Sequence, residues 1–164
     1  MTTLAEAAAQ ADALAEEGKE QELAGLRRQW DDEVEAAARS SDYRERAVAF
    51  RAIAQFRYRQ KVELLARGLE DESPAVRGSA VLSLERLSRD HPGVVNSVRR
   101  VLHELATNDG NEAVRRLAIM TLRNGSSQPD TIRILTALAD DDEQDRELRD
   151  AAAKVAQALR RKGR

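Results

Sequence analysis

The chain holds two histidines, His91 beside Pro92 and His103 inside an apolar-periodic segment. Neither stands at a recognisable spacing from a nucleophile or a base, so no triad or dyad can be assembled from them. They read as turn and surface residues. Cysteine is absent, which removes thiolate catalysis, disulfides and thiolate metal ligands together. The acidic run Asp140, Asp141, Asp142, Glu143 and Asp145 has the charge for a hard cation but lacks the glycine turn and spaced ligands of a calcium loop. It abuts the start of a helical segment, where carboxylates are favoured by the helix dipole. No glycine-rich phosphate loop occurs. The expectation is a chain that is not an enzyme, with no catalytic residues, no metal site and no cofactor.

One basic stretch carries a different chemistry. Arg51, Arg57, Arg59 and Lys61 surround Phe56 and Tyr58, and cations interleaved with rings are what single-stranded nucleic-acid binders use to hold phosphates and stack bases. Arg51, Arg57, Tyr58, Arg59 and Lys61 therefore form a candidate nucleic-acid site. The bland alternative is that Phe56 closes a helix onto the core and the turn after it is charged because it is exposed.

The elements that must position these residues are delimited by breakers. Gly18, Ser40-Ser41-Asp42, Ser73-Pro74, His91-Pro92-Gly93, Asn108-Asp109-Gly110 and Gly125-Ser126-Ser127 interrupt apolar-periodic runs of helix length. They predict nine helices at 3–17, 20–38, 42–56, 59–70, 74–89, 93–107, 111–123, 128–140 and 144–162. No alternating strand pattern competes. A core of Leu, Ala, Val and Ile, with aromatics at only 3%, favours the same state.

The helices repeat. Val76-Arg77-x-x-Ala80-x-x-x-Leu84 and Val114-Arg115-x-x-Ala118-x-x-x-Leu122 share a frame at an offset of 38. It returns at Leu148-Arg149 with Ala152 and Ala156, and a fainter copy is read at Tyr43-Arg44 with Ala47. Arg44, Arg77, Arg115 and Arg149 fall in one column, and Ala47, Ala80, Ala118 and Ala152 in another. Asp71, Asp109 and Glu143 precede their Arg by six residues. This unit resembles a HEAT repeat. The resemblance covers residues 42 to 162 and implies an all-α, right-handed α-α superhelix, a HEAT-like solenoid. It also implies that the Asp and Arg bond across the turn and to the neighbouring unit, so the Arg column is structural rather than an anion ladder. The Ala column lets paired helices approach to about 8–10 Å.

At 164 residues, one domain burying roughly 70% of its unfolded surface is the default. Residues 1–42 carry 11 acidic and 4 basic residues, whereas 43–164 carry 18 and 23. The reading is an acidic helical cap over 1–41 on a basic run of HEAT-like repeats over 42–164, the cap either covering the body or presenting a separate surface. Neither an apolar span nor a basic leader is present, and Arg outnumbers Lys 23 to 4, so a bacterial cytoplasm is expected. In such repeats the second helix of each unit lines the concave surface. The positions opposite the core arc there, Leu82, Arg86, Arg116, Met120, Arg123 and Lys154, form the candidate partner-binding strip, suited to an acidic or amphipathic protein segment. The leading function is a non-catalytic protein-interaction scaffold or adaptor. Two alternatives are nucleic-acid binding, as in HEAT-like alkylpurine DNA glycosylases, and an accessory of the bilin-lyase type.

Overall fold

The computed structural model describes residues 1–163, and among them the chain forms nine helices and no strand. They are α1 (Leu4–Glu16), α2 (Glu20–Ala38), α3 (Tyr43–Gln55), α4 (Val62–Leu69), α5 (Pro74–Ser88), α6 (Gly93–Asn108), α7 (Glu112–Leu122), α8 (Pro129–Asp140) and α9 (Arg146–Lys162). The fold is all-α and HEAT-like. Eight of the nine begin and end close to the positions the breakers predict. The fourth starts at Val62 instead of 59 because the preceding residues are consumed by a turn that fastens α3 to α2. By contacts, the chain divides into two compact units, Met1–Ser83 and Leu84–Arg164.

In the first unit, α1 and α2 both pack on α3. Ala7, Ala8 and Ala11 of α1 are fully buried, and Leu23, Trp30 and Val34 of α2 join them with Phe50, Ile53 and Phe56. The Ala-rich first helix thus has the docking site that its marginal stability in isolation requires. Thr3 caps it by accepting from the Glu6 amide. Gly18, at φ 72°, ends it with a six-to-one bond from the Lys19 amide to the Leu14 carbonyl. The end of α3 has the same form, Tyr58 N–H to Ile53 C=O, but the left-handed residue there is Arg57, at φ 60°. A side chain at that position is strained; here its guanidinium donates to the carbonyls of Ala54 and Gln55 and pairs with Asp12 at 3.0 Å.

The repeat register of the first unit differs from the expected one. In α5, α7 and α9 the column Arg is the fourth residue of its helix, and its amide bonds the carbonyl of the cap residue: Arg77 to Ser73, Arg115 to Asn111, Arg149 to Asp145. In α3 that place belongs to Arg46, whose amide bonds Asp42, and not to Arg44. Arg46 also donates to the carbonyls of Ser40 and Ser41, six and five residues back, as Arg77 does to those of Asp71 and Glu72. Arg44 is exposed and bonds only its neighbour Asp42. The Ala column shifts with it. Ala49, Ala80, Ala118 and Ala152 are each 0% exposed, whereas Ala47 lies only half-buried. The side chain of Ser83 donates to the Phe50 carbonyl.

In the second unit, α6 with α7 and α8 with α9 form the main pairs, and α7 packs on α9. Their core is Val95, Leu102, Ala106, Ile119, Leu122, Leu135, Leu148 and Leu159. Gly125 has the structural reason usual for a glycine at a close approach: a Cβ there would lie 2.6 Å from Val95. Asn124 ties the end of α7 to the end of α5 through the Glu85 carbonyl and Ser88 Oγ.

Candidate interaction surface

Counting from each helix start, the ninth residues of α3, α5, α7 and α9 are Arg51, Leu82, Met120 and Lys154, and all four are exposed. Leu82 at 42% and Met120 at 53% are, with Met1 and Tyr43, the exposed large apolar side chains among the described residues. Within the second unit, the face around Met120 holds Arg123 at the end of α7 and Lys154 on α9. Both cations are exposed, and neither has a carboxylate within 4 Å among the described residues. Lys162 closes the end of this face by donating to the carbonyls of Arg123 and Gly125 at 2.7 and 2.9 Å.

Arg116 behaves differently. Its guanidinium is one-third exposed and lies 3.6 Å from Glu112, 4.0 Å from Asp145 and 3.7 Å from Glu147. It therefore fastens α7 to the start of α9 and contributes little free positive charge. The spacing of Glu112 four residues before it was a readable sign of this. Arg86 sits half-buried on α5, one turn after Leu82.

The candidate nucleic-acid stretch is taken apart by the fold. Tyr58 is 1% exposed and Phe56 0%. Their rings sit 5.3 Å apart, and the Tyr58 hydroxyl donates to the Arg27 carbonyl. No base can stack on Tyr58. Burial pushes its phenol far above the ordinary value. Lys61 lies 4.9 Å above the same ring and is only 7% exposed, with Asp31 at 2.7 Å and Glu35 at 2.6 Å. Burial alone would lower its pKa, but the two carboxylate hydrogen bonds more than offset this and leave it raised. Arg57 is held by Asp12 and Glu16. The acidic helices α1 and α2 thus cover the basic turn. Only Arg51 and Arg59 stay exposed.

The Arg column is likewise occupied. Arg46 meets Asp71 at 2.9 and 3.0 Å; burial would raise the Asp71 carboxyl, but this pair and the Ser73 amide hold it below its ordinary value. Arg115 donates to the Ala106 carbonyl and to Gln144, and Arg149 to the Ala139 carbonyl and Asp142. Each guanidinium binds backbone carbonyls ahead of its helix, in the turn for Arg46 and Arg77 and in the last turn of the preceding helix for Arg115 and Arg149. The acidic run closes its own turn: Asp141 accepts from the Glu143 amide and the Gln144 side chain. No cluster of three or more His, Asp or Glu able to hold a metal occurs among the described residues. No helix among them is long and apolar enough to cross a membrane.

Helix pairs joined by short turns, with the same cap, the same buried alanine and the same carbonyl-binding arginine in each second helix, define a helical-repeat protein. Residues 32–104 match the family model for HEAT repeats, which supports a HEAT-repeat protein. The match opens inside α2, so that α2 with α3 counts as a repeat, as the Arg46 register requires. No curated protein matches the sequence.

Proposed function

We propose that this protein is a non-catalytic scaffold that binds an acidic or amphipathic protein segment, with Met120, Arg123 and Lys154 as the principal contacts on the second unit. Leu82 and Arg86, one turn apart on α5, are proposed as contacts in their own right, and Arg116 enters as a positioning residue rather than a contact. The observation that carries it is the exposure of Met120, 53%, beside two cations without carboxylate partners among the described residues. An apolar anchor rimmed by charge is the usual anatomy of a docking site. The absence of cysteine and the excess of arginine over lysine support a bacterial cytoplasm as its setting.

A photoreactive side chain installed at 120 tests this in extract of the native host. A discrete protein adduct is expected from 120 and not from the equally exposed position 43, where Tyr43 is 49% exposed. Adducts from 43 alone, or from neither, would reject the face.

A further inference from the structure

A second site lies in the same unit, between α6 and the start of α8. There Asn96, Arg99, Arg100 and His103 of α6 face Pro129 and Asp130 across a cleft of ≈ 580 Å³. Arg99 is the unusual member. Several half-buried cations of this protein are matched by carboxylates, as in Arg46 with Asp71, Arg57 with Asp12 and Lys61 with Asp31, whereas Arg115 is spent on the Ala106 carbonyl and Gln144 inside the repeat turn and does not line this cleft. Arg99 has no carboxylate within 4 Å among the described residues. Its guanidinium is held by neutral oxygens only, Thr131 Oγ1 at 3.1 Å, Ser126 Oγ at 3.0 Å and the side-chain carbonyl of Asn96. This fixes its plane while leaving its charge uncompensated. Arg100, next to it, is exposed and also lacks a carboxylate partner. His103 Nε2 shares Thr131 Oγ1 at 2.8 Å. Asp130 carries the cleft's negative charge, and it is drawn off by Arg133 at 2.8 Å.

We propose that this cleft binds a phosphate group, with Arg99 as the fixed guanidinium, Arg100 as the mobile one and His103 as a third contact. Two forked cations match the charge and the several oxygens of a phosphate dianion better than those of a single carboxylate. Burial and the neighbouring Arg99 charge hold the His103 pKa below its ordinary value, and a bound anion opposes both effects.

Titration of the full chain with inorganic phosphate, followed by the imidazole proton resonances, tests the site directly, because His91 and His103 are the two imidazoles present. Saturable binding in the millimolar range or tighter is expected, with the His103 signal moving and the His91 signal still. Arg100→Gln, which removes an exposed side chain without a structural bond, should weaken binding by about tenfold or more. Asp130→Asn should strengthen it, and Arg67→Gln, at an exposed arginine of α4, should leave it unchanged. A parallel titration with O-phosphoserine separates the sources. Equal affinity assigns the site to free phosphate, and tighter binding of the ester to a phosphorylated molecule. No saturation by about 20 mM, wild-type affinity in Arg100→Gln, or acetate binding as tightly as phosphate would each overturn the proposal.

Discussion

Arg44 and Arg46 stand two residues apart on the same first turn of α3, yet only one holds the fold. Arg46 joins Asp71 and two carbonyls in a half-buried setting; Arg44 points to solvent. Arg46→Ala should therefore lower the melting temperature by several degrees, while Arg44→Ala leaves it within error. The opposite order would return the register to Arg44. The sequence alone favoured Arg44 because Tyr43-Arg44 mimics Val-Arg. The safer signal was the distance from the cap: Asp42, Ser73, Asn111 and Asp145 each stand four residues before their arginine. Titration follows from the same pairs. The Lys61 hydrogen bond, with Arg39, holds Glu35 below its ordinary 4.5, and Asp71 is held below 3.8. Groups with depressed folded pKa values contribute stability that is complete above those ordinary values and is lost as pH falls through the folded ones. Lys61, raised above 10.5, contributes below that pH and is lost as pH rises through its folded value. Urea midpoints should accordingly begin to fall as pH drops below about 6.5, where the unfolded chain protonates His103 before the folded one does, fall further below about pH 4.5, and fall again above about pH 10.5. A midpoint that kept rising on acidification through that range would contradict these pairings.

At the scale of the helix, burial was the most legible feature. Three of the four column alanines were placed correctly from the repeat frame, and so were Leu84 and Leu122, each 0% exposed. Leu84→Ala and Leu122→Ala should each cost about 2–5 kcal/mol in chemical denaturation, the range for buried leucines whose cavity only partly closes. A cost below about 1 kcal/mol would mean the core arc is misassigned. Gly68 was not singled out in the sequence, since a glycine inside a helical run gives no local sign of what lies over it. In the fold, a Cβ at 68 would meet the Phe50 ring at 2.6 Å. Gly68→Ala, though favourable for helix propensity, should destabilise by about 1–3 kcal/mol through overpacking. A stabilised variant would show that Phe50 swings away freely. The basic turn after α3 was legible as composition but not as structure. Whether Tyr58 and Lys61 face water depends on where α1 and α2 dock, and no local pattern carries that information.

Across the whole chain the charge is unevenly spread, acidic before residue 43 and basic after it. Part of that imbalance is consumed internally where α1 and α2 meet Arg57 and Lys61, and part where Arg116 meets its three carboxylates. What remains for a partner on the second unit is Arg123 and Lys154 beside Met120, so association should weaken with added salt. The repeat register was enough to place Met120 and Lys154 at equivalent exposed positions, whereas the carboxylates around Arg116 come partly from another helix and were not legible locally. The decisive measurement is a paired affinity purification from the native host, quantified by mass spectrometry. One bait carries Arg123→Glu with Lys154→Glu and the other Arg51→Glu with Arg59→Glu, each compared with wild type after confirming that the melting temperatures agree. The account predicts that the first bait loses the partner and the second retains it. Loss from the second bait alone would contradict it and move the site to the exposed arginines of the first unit. Salt-steep nucleic-acid binding by wild type that the second variant flattens would then replace the scaffold reading.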